Sequence, residues 1–213
     1  MPGPRLIDLS IPLAATTPPW PGDTPFSCGW SCRREDGESV NLGSVTTSLH
    51  VGTHADAPLH VESDWAGSEA VDPSAFLGSA RLAALSDGHP TDTSIDPDTL
   101  ASLFGESPPP RLLLRTGRSV ATGTFPEDWP ALSEAGARWL RERGVVLWGV
   151  DAPSVDRRHS KTLPVHHTLL GTGAFVLENL DLRPIEPGDW ELVALPLRVI
   201  GADAAPVRAM VRR

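Results

Sequence analysis

No tyrosine occurs among the 213 residues, and there are only two cysteines and two methionines. No tyrosine can therefore assist at a reaction centre. Cys28 and Cys32 cannot build a disulfide framework. Their surroundings look strand-like, and four residues along a strand hold two Cα atoms about 13 Å apart, too far for a bond. The second cysteine pair that would complete a zinc half-site is missing. Lysine occurs once, at Lys161, so arginine carries nearly all positive charge, a bias that reflects genome composition first and function second. No apolar run approaches the roughly 18 residues that span a bilayer. Met1–Leu6 lacks a charged segment followed by an apolar one, so no signal peptide is expected and the chain reads as cytoplasmic, without a membrane partner. The net charge of −9 and a pI of 5.2 argue against a nucleic-acid partner.

What is present describes an ordinary globular chain, 40% apolar and 21% charged, with a length that favours one domain over residues 1–213. Its 22 prolines and 19 glycines predict many ordered turns. The first half reads as strand and loop: strands at Arg5–Ile11, Cys28–Arg34, Val40–Thr47 and Ala80–Leu85, with a stiff loop at Pro18–Pro25 that holds Trp20 between prolines. The second half alternates. Asp96-Pro97 opens a helix to about Phe104, and Ser133 caps another through Arg143 that Gly144 ends. Pro164–Leu170 forms a short helix, and strands are expected at Arg111–Thr116, Val145–Val150, Phe175–Leu177, Glu191–Leu197 and Pro206–Val211.

Three of the seven histidines fall in His50-Val51-Gly52-Thr53-His54-Ala55-Asp56-Ala57-Pro58-Leu59-His60. Fully extended, His50 and Asp56 would lie about 20 Å apart. As one helix, His50 and His54 would face together while Asp56 pointed elsewhere, and Pro58 disfavours helix at Ala57. The segment must therefore turn, most cheaply at Gly52, and the expectation is a strand ending near His50 that coils until His50, His54 and Asp56 converge. Imidazole and carboxylate donors suit zinc or manganese better than calcium. His60, beyond the proline, is a candidate general acid/base outside the metal shell. Remote ligand candidates are Asp151, Asp156, His159, His166, His167 and Glu178. A Glu178 buried at the end of an apolar strand would need compensation, which a metal would provide; the alternative is an exposed strand tip.

Other chemistries lack their motifs. There is no G-x-S-x-G, no G-x-x-x-x-G-K-[ST] and no H-E-x-x-H, and Gly171-Thr172-Gly173 lacks a third glycine. The run His50-x-Gly52-Thr53-His54-x-Asp56-x-Pro58-x-His60 resembles the metal-dependent cyclase-like hydrolases. The resemblance covers almost the whole chain and includes Asp8-Leu9-Ser10, Trp20-Pro21-Gly22-Asp23-Thr24-Pro25, Gly149–Ser154, Glu178-Asn179-Leu180, Leu195–Arg198 and Pro206-Val207-Arg208. The Trp20 loop, Ser160-Lys161 and His166-His167 narrow it to the arylformamidase branch.

The resemblance implies an α/β fold, a swivelling β/β/α single domain, usually assembled as a homodimer or larger. It also implies a two-zinc site, open to manganese or another divalent ion: His50 and His54 on the first ion, Asp56 and Glu178 reaching both, and His166 on the second, with His159 and His167 as open alternatives. His60 would carry the proton and Trp20 would line the substrate pocket. The implied reaction is hydrolysis of N-formyl-L-kynurenine to L-kynurenine and formate in tryptophan degradation, with Arg198 or Arg208 as candidates for the substrate carboxylate. A sibling that opens a cyclic amide, such as an isatin hydrolase, would share the metal site, as would a non-catalytic metal-binding protein. His60 speaks against the latter, because a metal cage needs no free acid/base beside it.

Overall fold

The computed structural model describes residues 6–213. In the first half, β1 (Ile7–Asp8) is followed by the hairpin β2 (Ser27–Cys32) and β3 (Leu42–Thr46), then β4 (His54–Asp56) and β5 (Leu77–Ala84). The expected start of the first strand at Arg5 lies outside the described residues. The second half runs β6 (Ser94–Ile95), α1 (Pro97–Phe104), β7 (Arg111–Arg115), β8 (Ala131–Leu132), α2 (Glu134–Glu142), β9 (Leu147–Val150), α3 (Pro164–Leu170), β10 (Phe175–Glu178), β11 (Gly188–Val193), β12 (Ala204–Pro206) and β13 (Met210–Arg212). No helix among the described residues is long and apolar enough to cross a membrane.

Local chemistry explains the helix limits. The Asp96 carboxylate accepts from the Thr99 N–H and the Ser133 hydroxyl from the Gly136 N–H, so each cap satisfies an amide that a helix start leaves open. Cys28 and Cys32 both lie on β2 and are unbonded, in line with their spacing.

Nine strands form one sheet in the order β1-β13-β11-β5-β7-β9-β10-β4-β12. The central four, β5, β7, β9 and β10, are parallel, and every flanking pair is antiparallel. The parallel strands read as continuous apolar runs, such as Leu112–Leu114 and Leu147–Val150, because both faces are covered. On one face α1 packs on β5 and α3 on β10, with α2 between the two helices.

Three expected strands differ from the structure. Among the described residues, Arg5–Ile11 is a strand only at Ile7–Asp8. Glu191–Leu197 is displaced to Gly188–Val193, ending before Pro196, which has no N–H to donate to a ladder. Pro206–Val211 is divided between β12, an end strand, and β13, the second strand from the other end of the order. Seven strand spacings would separate them by about 34 Å in a flat sheet, whereas the chain from Pro206 to Met210 reaches at most about 15 Å. The sheet must therefore curl until its ends meet. The bridges Ser10–Leu180 and Pro196–Val207 are the seam.

Gly136 tests how tightly α2 is seated. A Cβ there would lie 2.6 Å from the Ile95 carbonyl oxygen and 2.8 Å from Leu132 Cδ1. A glycine-to-alanine change inside a helix ordinarily stabilises. Here Gly136→Ala is expected to destabilise by about 1–3 kcal/mol through overpacking, read as a lower midpoint in thermal or urea unfolding. A raised midpoint would contradict this packing.

Candidate metal centre

The strand that ends near His50 in the sequence expectation stops at Thr46. Residues 49–53 are turn and bend, and His54–Asp56 are themselves a strand. Gly52 makes this possible: its φ is +72°, and a Cβ would sit 2.6 Å from Leu13 Cδ2. The residues converge by the two-residue period of β4, which puts His54 and Asp56 on one face and Ala55 on the other. β10 lies beside β4 with Glu178 in register opposite His54, and the first turn of α3 supplies His166. His54, Asp56, His166 and Glu178 are each at most 3% exposed, so Glu178 is not an exposed strand tip.

The donor atoms crowd together. His54 Nε2 lies 3.3 Å from Asp56 Oδ1 and 3.5 Å from Glu178 Oε2. His166 Nε2 lies 3.2 Å from Asp56 Oδ2 and 3.3 Å from Glu178 Oε1. His50 Nδ1 is 3.2 Å from Asp56 Oδ1 and 3.1 Å from His54 Nε2. The outward nitrogens are already committed. His54 Nδ1 lies 2.9 Å from the Gly52 carbonyl, which can only accept, so that nitrogen carries the hydrogen. His166 Nδ1 bonds the Asp156 carboxylate at 2.7 Å and His50 Nε2 bonds Asp203 at 3.0 Å. In the neutral rings the inner nitrogens are then lone pairs, two of them 3.1 Å apart and facing carboxylates. Asp56 Oδ1 is buried and accepts a hydrogen bond from none of its neighbours. Lone pairs and an orphaned carboxylate oxygen held at one point repel unless protons or a cation lie among them, and imidazole with carboxylate is a zinc- or manganese-type donor set. The residues therefore fit a divalent metal.

Without a cation, protons do that work. Burial pushes His50 and His54 toward their neutral forms. Asp203 and Asp56 outweigh it at His50, raising its pKa to about 10, and Asp56 with Glu178 does so at His54, raising it to about 9. Against its own burial, Asp56 is held well below the usual carboxylate range by His166, His50 and His54.

Two aspartates steer the cluster from behind. Asp156 accepts from the backbone N–H groups of Val165 and His166 as well as from the His166 ring, fixing the start of α3 and the ring together. Asp203, just before β12, bonds His50 and lies 3.5 Å from His60 Nδ1. The sequence reading includes Asp156 among the ligand candidates and misses Asp203, whose only local signal is a carboxylate inside the small-residue run Ala202–Ala205. His60 is half-buried, with its ring 4.4 Å from that of His50 and 5.6 Å from that of His166. Of the open alternatives, His167 turns away and packs against Trp65, His159 is exposed, and Asp151 is tied to Thr116 and Gly117.

A cavity of about 370 Å³ opens onto this cluster, lined by His50, His60, His166 and Glu178 at one end and by Trp20 and Phe125 beyond. Neither arginine weighed for a substrate carboxylate lines it: Arg208 pairs with Asp8 at the surface, and Arg198 is exposed elsewhere. Arg158 and Lys161 line it instead.

A family profile described as "Putative cyclase" matches residues 7–157. A solved structure described as a potential metal-dependent hydrolase with cyclase activity superposes with a TM-score of 0.81 at 26% identity, covering 99% of this chain and 98% of that one. Isatin hydrolase A from Ralstonia solanacearum has the same fold, with a TM-score of 0.81 at 22% identity over 98% of this chain and 92% of its own. The chain belongs to the Cyclase family, and its fold is that of the family's metal-dependent hydrolases. Within the family it is similar over its whole length to the kynurenine formamidase of Bordetella pertussis, 42% identical across 208 residues and 98% of both chains.

Because protons and a cation compete for the same lone pairs, zinc binding near pH 7 is expected to release at least one proton, and affinity should rise with pH through about 9 and on toward about 10, where His54 and then His50 give up their protons. Calorimetry in two buffers of different ionisation enthalpy checks this. Identical heats in both buffers would show that no proton is displaced.

Proposed function

We propose that the chain is a metal-dependent arylformamidase that hydrolyses N-formyl-L-kynurenine to L-kynurenine and formate. The observation that carries this reading is a buried His54–Asp56–His166–Glu178 cluster at the floor of a cavity walled by Trp20, in a chain similar throughout to kynurenine formamidases. His50 and His54 would hold one ion, His166 the second, and Asp56 and Glu178 would be shared. Divalent cations there would supply Lewis acidity toward the formyl carbonyl and a water. The reading includes two zinc ions per chain, replaceable by manganese or another divalent ion. It also includes a single domain over residues 1–213, a homodimer, a cytoplasmic location and a place in tryptophan breakdown.

The remaining chemistry belongs to side chains. The contact of His60 Nδ1 with the Asp203 carboxylate favours the tautomer with its hydrogen on Nδ1, leaving Nε2 as the proton acceptor. Nε2 takes the proton of the attacking water and delivers it to the arylamine nitrogen as the C–N bond breaks, so water and formamide become formate and amine. Trp20, packed edge-on against Phe125 and Trp129, offers a fixed apolar face to the aryl ring.

Four measurements test the assignment. His60→Ala is expected to retain its metal and lose about a hundred- to ten-thousand-fold in kcat. His54→Ala should lose metal as well as rate. Chelation should abolish activity and lower the melting temperature, since a ligand bound only to the native state stabilises it. Parallel assays on isatin separate the formamidase from a cyclic-amide hydrolase. A fully active metal-free protein, or a His60 variant with normal kcat, would overturn these roles.

A further inference from the structure

The lining of the same cavity also carries two charges that hydrolysis itself does not need, Asp23 and Arg158. Trp20-Pro21-Gly22-Asp23 is a turn closed by the Asp23 N–H donating to the Trp20 carbonyl at 2.9 Å, with Pro21 in second place and Gly22 at φ +92° in third, a type II turn. The ring of its first residue and the carboxylate of its fourth therefore reach the cavity as one rigid unit. The Asp23 carboxylate accepts from the Thr24 N–H at 2.7 Å and pairs with no cation among the described residues. Phe125 stands 5.3 Å from Trp20, and the Arg158 guanidinium lies 5.5 Å from the Phe125 centroid. Arg158 donates to the Glu127 carbonyl at 3.0 Å through one nitrogen and pairs with no carboxylate among the described residues. Its neighbour Arg157, by contrast, is taken up by the Thr91 and Asp92 carbonyls.

A half-buried anion and a half-buried cation, each without a charged partner and flanking an aromatic pair, complement a zwitterion attached to an aryl ring. We infer that Asp23 and Arg158 are the two poles of an α-amino-acid subsite: the guanidinium takes the α-carboxylate and Asp23 the α-ammonium of a substrate whose ring lies against Trp20 and Phe125. This rests on the arylformamidase reading and names the residues that select the amino-acid arm. Arg158 suits the task because its planar fork can hold a carboxylate through two parallel bonds, which a lysine cannot. Lys161 also lines the cavity but is exposed, where solvent screening leaves it a minor share. In a chain of net charge −9, a local cation is also what offsets the repulsion of an incoming carboxylate.

The test compares N-formyl-L-kynurenine with formanilide, which keeps the ring and formamide but lacks the arm, in metal-loaded wild type, Arg158→Met, Arg158→Lys and Asp23→Asn. Binding of L-kynurenine is measured in parallel by quenching of tryptophan fluorescence. The ratio of kcat/KM for the two substrates is expected to fall about ten- to a hundred-fold in Arg158→Met, chiefly through KM. L-kynurenine binding should weaken by a similar factor. Arg158→Lys should recover part of both, and Asp23→Asn should lower both by a smaller factor. An unchanged ratio, or equal losses on both substrates, would overturn the inference while leaving the formamidase reading intact. A wild-type enzyme that cleaves formanilide but neither cleaves nor binds the kynurenine compounds would overturn both.

Discussion

Two carboxylates, Asp56 and Glu178, are sealed in the interior within reach of one another, and much of the structure answers to that fact. Moving a carboxylate out of water costs several kcal/mol even after relaxation, and a second one adds repulsion. The cost is met by imidazoles, each oriented from its far nitrogen by a carbonyl or another carboxylate, and at Glu178 also by the Val155 N–H. The strand register that sets Glu178 opposite His54, the turn at Gly52 and the start of α3 on Asp156 all serve this arrangement. Such a cluster has too many electron pairs for its space, so it selects a small, highly charged cation over any neutral occupant.

The curled sheet is what lets one short strand gather its partners. β4 offers only three residues, yet β10 flanks it on one side and β12 on the other, so groups from positions 54, 56, 178 and 203 meet within a few ångströms. Thr53 ties the same seam. Its hydroxyl receives the Ile11 N–H and donates to the Asn179 carbonyl, and its own carbonyl receives the Val207 N–H. The cavity thus has a stiff floor, while its aromatic and charged walls come from the Trp20 turn and the loops around Phe125 and Arg158.

Much of this was legible in the sequence where the cause is local. The caps Asp96 and Ser133, the buried run at Leu147–Val150 and the crowding of His50, His54 and Asp56 each depend on residues a few positions apart. What escaped depends on distance. Strands of two or three residues, such as β4, β6 and β8, are too short to establish a period, and the division at Pro206 follows from sheet closure. Asp203 gains its role only because β12 pairs with β4, nearly 150 residues earlier. The choice between His166 and His167 did carry a signal: Leu169 and Leu170 follow His166 at three and four residues, the helical spacing that puts His166 on the buried stripe.

The placement of β4 also bears on how the chain comes into being. Both of its sheet neighbours belong to the final fifth of the sequence, so a polypeptide emerging from the ribosome carries His50, His54 and Asp56 for most of its synthesis with nothing to pair β4. Until β10 arrives, the three donors form only a loose chelate on an unprotected strand, and until β12 follows, Asp203 cannot orient His50. Contacts of such long sequence separation form slowly, which places maturation of the centre among the last events of folding. The donors of the centre are thus gathered in stages, the cluster closing when β10 pairs with one edge of β4 and His50 being oriented only when β12 adds to the other.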